Sequence, residues 1–174
     1  MFRLGPVGSS IWRSVGHNQA MTEFRIRLGL PADLPGLSDL YRRASLSNAG
    51  NVTALLAHPE VLVLADDGVS EGRTRVATST TDHIVGFATT LRQDQVMELE
   101  DLFVDPDWMR RGVGRLLVQD VVAAAQRELA QRVEVTANPH ALAFYENAGF
   151  VHDREVLTRF GTGTRMHLDV AQRP

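Results

Sequence analysis

The sequence predicts one α/β domain built on a mixed sheet, and three observations carry that reading. Segments of period two and segments of helical period follow one another in the order β α α β β β α β α β β. A strand–helix–strand unit (96–104, 112–130, 133–137) sits in the middle, and such a crossover makes its two strands parallel and right-handed. The chain closes with a hairpin pattern, EVLTRF and TRMHLDV around a GTG turn.

FRIRLGL (24–30) alternates and reads as a strand. In PADLPGLSDLYRRASL (31–46), Asp33 suits an N-cap and Pro35 a first turn, with Leu37, Leu40, Tyr41 and Ala44 at helical spacing. NVTALLAHP (51–59) reads as a second short helix, and VLVLADD (61–67) as a buried strand. GVSEGRTRVATSTTD (68–82) is polar, and its pattern fits either a long loop or an extra hairpin. HIVGFATTLR (83–92) and VMELEDLFV (96–104) are strands. From 112 to 130, Val113, Leu116, Leu117, Val121 and Ala124 form one apolar helical stripe. VEVTA (133–137) is a strand, and PHALAFYENAG (139–149) a short helix with Gly149 in a C′ position. Residues 1–20 lack periodicity and read as a loose N-terminal arm, with a single domain over 21–174 beginning at Met21.

Composition narrows the chemistry. The 174 residues suffice for one domain with a sizeable core. A net charge of −3 with dispersed arginines offers no basic face for nucleic acid or anionic membrane. No apolar run approaches the ~18 residues of a membrane span, and no apolar stretch has the length of a signal-peptide core. The absence of cysteine excludes disulfides and thiolate nucleophiles, and fits a cytoplasmic location. All 18 basic residues are arginine, so lysine Schiff-base chemistry and a Walker-type lysine are excluded. The six histidines, at 17, 58, 83, 140, 152 and 167, show no metal-ligand spacing, and no metal is expected.

The stretch WMRRGVGRLLV (108–118) places arginines and glycines between a strand and the helix of the βαβ unit. The first helical N–H groups lack intrahelical partners and the dipole is positive there, so a pyrophosphate would be well held. A tight turn with solvated arginines is the plainer alternative. The dinucleotide pattern G-x-G-x-x-G is absent, because position 117 is Leu, and a P-loop is absent too.

Downstream, NPHALAFYENAGF reads N-x-x-A-x-x-x-Y-x-x-x-G-F. Together with LFVDPDWMRRGVGRLLV, it resembles the GCN5-related N-acetyltransferase (GNAT) superfamily, over about residues 23 to 170. The resemblance implies a mixed, mostly antiparallel central sheet with a splayed parallel pair, the acyl-CoA N-acyltransferase fold. One departure stands out: the family's loop is commonly written Q/R-x-x-G-x-G/A, and here its first position is Met109.

The resemblance further implies acetyl-CoA as co-substrate, its pyrophosphate on the backbone of Arg110, Arg111, Gly112, Val113, Gly114 and Arg115. Its pantetheine arm would run beside Leu102, Phe103 and Val104, with an N–H near Phe103 or Val104 on the thioester oxygen. Asn138 matches a pantetheine contact; read alone, it is equally an N-cap. Tyr145 matches the general acid. Glu98 matches the position some members use as base, with Glu100 as second candidate; a solvated strand face is the plainer reading of both. Segment 36–57 would line the acceptor side, where Arg42 and Arg43 could receive an acceptor carboxylate. An acidic mouth formed by Asp94, Glu98, Glu100 and Asp101 would instead favour a cationic amine. The acceptor so implied is a small-molecule primary amine, with a protein or peptide as alternative, and a non-catalytic acyl-CoA-binding module as the rival outside enzymes. By analogy with such folds, the hairpin 154–170 is the surface for a homodimer.

Overall fold

The computed structural model describes residues 23–47, 52–159 and 161–170. The expected arm, 1–20, lies outside them. Strand β1 (Phe24–Leu28) leads to α1 (Leu34–Leu46), α2 (Val52–Ala57) and a one-turn α3 (Asp67–Ser70). Strands β2 (Thr74–Ser79), β3 (Ile84–Gln93) and β4 (Val96–Val104) follow. Helix α4 (Val113–Arg127), β5 (Arg132–Ala137), α5 (Leu142–Asn147), β6 (Val151–Thr158) and β7 (Gly161–Asp169) complete the order. The seven strands form one sheet, β1-β2-β3-β4-β5-β7-β6. Every neighbouring pair is antiparallel except β4 and β5, the expected parallel pair.

Two apolar clusters sandwich the sheet. On one face the α4 stripe, with Val113, Leu117 and Val121 buried, packs on Val85, Met97, Leu99, Val133 and Val135. On the other, Leu37, Leu40 and Ala44 of α1 cover Val76 and Phe87. Strand β2 shows the alternation directly, with Val76 in one cluster and Ala77 in the other. Among the described residues, no helix is long and apolar enough to cross a membrane.

Three expectations need correction. VLVLADD is not a strand. Pro59 opens a 3-10 turn over Pro59–Leu62, and the chain then runs irregularly into α3. Leu62 is buried, whereas Val63 is exposed. The missing strand lies in the polar stretch 68–82, where β2 inserts between β1 and β3. Its hydroxyls are buried rather than solvated: Thr74 Oγ1 and Thr89 Oγ1 lie 3.0 Å apart, and the Ser79 hydroxyl accepts from the His83 backbone N–H. Asp33 occupies the N-cap position of α1 without capping it. Its carboxylate instead accepts from Arg27 (2.6 and 2.8 Å) and from the Leu30 N–H, tying β1 to the start of the helix.

Candidate active site

Strand β4 carries a bulge. Thr89 pairs with Asp101 and Thr90 with Leu99, so Glu100 is an extra residue in the ladder. The bulge switches the phase of the strand. Met97 and Leu99 face α4 before it, and Leu102 and Val104 face the same side after it. Parallel pairing with β5 ends at Glu98 and Glu134, leaving the outer halves of both strands unpaired with each other. Asp105 N–H donates to Val85 C=O, toward β3. By alternation, Val104 and Leu102 therefore present their N–H and C=O groups into the gap.

The corner after β4 sits at the mouth of α4. Arg110 (φ +60°) and Gly112 (φ +89°) are both left-handed, on either side of Arg111. Backbone that alternates handedness turns successive N–H groups to one side and makes an anion-binding concavity. The first turn of α4 has no side-chain cap, so its N–H groups point outward unclaimed by one. Arg111 stacks on the Trp108 ring, 4.8 Å from its centroid, and Trp108 packs edge-on against Phe24. The buried Asp105 carboxylate pins the corner by accepting from the Asp107 N–H (3.0 Å) and from Arg43 of α1 (2.7 Å). Arg43 is thereby committed to Asp105 rather than facing an acceptor carboxylate.

A cavity of about 590 Å³ runs from this corner along β4. Leu102, Val104, Arg110, Gly112, Gly114 and Tyr145 line it, with Met109 at its edge. Gly114 is needed for close packing, since a Cβ there would lie 3.1 Å from the Phe144 ring. Tyr145 is buried, its ring held edge-on between Phe144 and Phe150 at 5.1 and 5.3 Å. Burial first, and the charge of Asp101 second, push its phenol well above the ordinary value, so it stays protonated. Asn138 Oδ1 accepts from the Ala141 N–H (3.0 Å), which leaves its amide NH2 outside that turn. Of the expected residues, Phe103 alone among Leu102, Phe103 and Val104 turns the other way: it stacks on Phe87 and packs against Tyr41.

The acids separate into distinct roles. Arg165 of β7 holds Glu98 and Glu134 together, with Nη1 2.6 Å from Glu98 Oε1. Glu100 accepts from Arg73 at 2.5 Å. Both base candidates are thus neutralised by a guanidinium. Asp101, one residue past the bulge and opposite Thr89 in the ladder, is partly buried. Burial chiefly, then the charge of Glu100, holds its carboxyl above the ordinary value. After burial, its charge raises two phenols, Tyr41 of α1 and Tyr145 in the long cavity, and by alternation it shares the strand face of Phe103.

A second cavity, about 450 Å³, opens on the α1 side. Tyr41, Phe103, Leu55 and Val61 form one wall; Thr136, Asn138, His140, Thr158 and Thr162 form the other. His140 lines both cavities. Tyr41 is more than core: its hydroxyl donates to Val61 C=O at 2.8 Å and orients this wall. The segment 36–57 supplies Tyr41, Ala44, Ser45 and Leu55 to this cavity, whereas the place of Asp101 was not anticipated. The signal for the latter was present, because apolar positions 97 and 99 change phase to 102 and 104, which is what a bulge does. Among the described residues, no cluster of metal-ligating side chains forms.

Residues 64–169 match the acetyltransferase (GNAT) domain family. The chain is 30% identical over 84 residues to the glucosamine 6-phosphate N-acetyltransferase of Trypanosoma brucei brucei, covering 44% of this chain and 57% of that protein. It is 31% identical over 72 residues to an uncharacterized N-acetyltransferase of Methanocaldococcus jannaschii, covering 40% and 31%. The chain therefore spans between a third and somewhat over half of the length of these relatives. Its fold matches that of the Thermoplasma acidophilum PaiA N-acetyltransferase, solved with coenzyme A, at a TM-score of 0.65 and 14% identity, over 84% of this chain and 98% of that one. With the family match spanning more than half of its residues, the chain belongs to the GNAT acetyltransferase family.

Proposed function

We propose that the protein is an acetyl-CoA-dependent N-acetyltransferase that acts on a small-molecule primary amine by direct transfer in a ternary complex. One observation carries the reading: two cavities on opposite faces of the sheet meet at His140, beside the unpaired outer halves of β4 and β5. That is the arrangement a donor and an acceptor need to meet end to end. The chain has no cysteine to carry an acyl group between them.

The residues present fit acetyl-CoA. The left-handed corner and uncapped helix start suit a pyrophosphate, and the apolar Leu102 and Val104 suit the pantetheine arm. When bound, acetyl-CoA supplies the acetyl group as a thioester. Backbone N–H groups of Arg110 to Arg115 hold the diphosphate, and the Asn138 amide holds the arm. The N–H of Val104, or of Leu102, donates to the thioester oxygen as negative charge develops there. Asp101 takes the proton from the amine nitrogen, in place of the guanidinium-bound Glu98 and Glu100. As the new N–C bond forms and the C–S bond breaks, the Tyr145 hydroxyl donates to the departing sulfur.

A small acceptor is favoured over a peptide by the rim of the second cavity. Arg159, beside the lining Thr158, reaches Glu60, beside the lining Val61, at 2.6 Å and joins the two walls. The test is thiol release from acetyl-CoA with amines and with short peptides; the protein contributes no thiol of its own. Amine-dependent release supports the reading. Release with peptides alone replaces the acceptor, and acetyl-CoA binding without release from any acceptor identifies a binding module.

A further inference from the structure

The second cavity also speaks to what the acceptor carries. Its described lining holds no Arg, Asp or Glu, and the chain has no lysine. The polar groups are hydroxyls of Tyr41, Ser45, Thr136, Thr158 and Thr162, the Asn138 amide and the His140 ring. The rest is apolar: Ala44, Leu55, Val61, Phe103, Ala137 and Pro139.

Three arginines near the cavity are ion-paired: Arg43 with Asp105, Arg159 with Glu60, and Arg165 with Glu98 and Glu134, its Nη1 also donating to the lining Thr136 hydroxyl at 3.2 Å. Arg42 of α1 is exposed and is not part of the lining. The nearest strand charge is negative: Asp101 stands two residues before the lining Phe103 and on the same face of β4. A carboxylate or phosphate on the acceptor would lose its water, find no cation among the described lining residues, and lie near a like charge. An ammonium head is drawn toward the charge of Asp101 beyond the lining, and an alkyl or aryl body fits the apolar wall.

We infer that the acceptor is a primary amine on an uncharged, partly apolar body, with hydroxyls tolerated and anionic groups excluded by this cavity. The inference rests on the N-acetyltransferase reading above and sharpens its acceptor. It separates this chain from the relative named for glucosamine 6-phosphate, whose acceptor carries a phosphate.

The experiment uses matched pairs that differ only in an anionic group: 2-phenylethylamine against phenylalanine, and glucosamine against glucosamine 6-phosphate. Acetylation is measured as kcat/KM at saturating acetyl-CoA, with acetyl-CoA binding measured separately by calorimetry. The expected result is a preference of about 100-fold or more for the anion-free member, the scale set by placing like charges together. Thr162→Arg, which adds a cation to the lining, should narrow that preference severalfold. Equal rates within a pair, a preference for the anionic member, or a ratio unmoved by Thr162→Arg would each overturn the inference. Acetyl-CoA that binds while no member of either pair reacts would overturn it too and leave the cofactor reading standing. Acetyl-CoA that fails to bind removes the underlying reading, and the inference with it.

Discussion

Arg165 and Glu98 form a two-pronged ion pair that reaches from β7 over β5 to β4, with Nη1 2.6 Å from Oε1. The same guanidinium takes Glu134, the partner of Glu98 at the last paired position of the parallel strands. One cation therefore closes the root of the gap on which the site depends. All three side chains are largely shielded from water. Arg165→Met leaves Glu98 shielded and unpaired beside Glu134, which keeps Arg132, and the expected loss is about 3 kcal/mol of folding stability. Urea unfolding checks it; a loss well under 1 kcal/mol would mean that the cluster does not hold the strands. Glu98→Gln should lower stability while leaving kcat within a few-fold of wild type.

Asp101→Asn should act in the opposite sense on stability and activity. Removing the proton acceptor is expected to cut kcat by about 100-fold. The acid limb of the wild-type pH–rate curve should lie above the ordinary aspartate range of about pH 4 and disappear in the variant. Burial raises the folded carboxyl above its unfolded value. As pH rises, the unfolded chain ionises first, so the wild type loses stability until pH passes the folded value. Asparagine has no such loss. The variant should match wild type below about pH 4 and melt higher at neutral pH. A variant that melts lower than wild type at pH 7 would contradict the buried-acid reading.

Much of this was legible from pattern alone, and the failures have physical causes. The βαβ unit, the α4 stripe and the closing hairpin follow from periodicity, because each element buries a single face. Strand β2 was hidden because it is buried on both faces while built from Thr74, Thr78 and Ser79, whose hydroxyls are satisfied inside. VLVLADD misled for the converse reason: an apolar run that packs beneath α1 without a sheet partner has the composition of a strand. For the site, the corner and Tyr145 lie on contiguous motifs. The gap acids do not, since Glu98 is taken by Arg165, 67 residues away in the sequence.

Tyr145→Phe isolates one oxygen. The ring's contacts with Phe144 and Phe150 survive the change, so folding and acetyl-CoA affinity should hold within about twofold. What the proposed mechanism loses is the hydrogen bond to the departing sulfur. The expected fall in kcat is about 100-fold or more. Rapid-mixing turnover with calorimetric binding separates the two quantities. Unchanged turnover would remove the phenol from the reaction and leave the tyrosine as packing.

The two glycines of the corner should fail in different ways. Gly112 has room for a side chain, since an added Cβ meets nothing within 4 Å. Its constraint is the backbone, at φ +89°. Gly112→Ala therefore costs about 1–2 kcal/mol of strain in the left-handed region, or shifts the corner to relieve it. Either outcome moves the N–H groups proposed to hold the diphosphate. Acetyl-CoA should bind about tenfold more weakly, a change of ~1.4 kcal/mol, with kcat retained at saturation. Gly114 has an ordinary backbone but no space, its Cβ falling 3.1 Å from the Phe144 ring. Gly114→Ala pushes that ring toward its neighbour Tyr145, so its loss should appear in kcat as well as in binding. Equal effects of the two substitutions on both parameters would mean that the corner and the tyrosine do not act on separate parts of the donor.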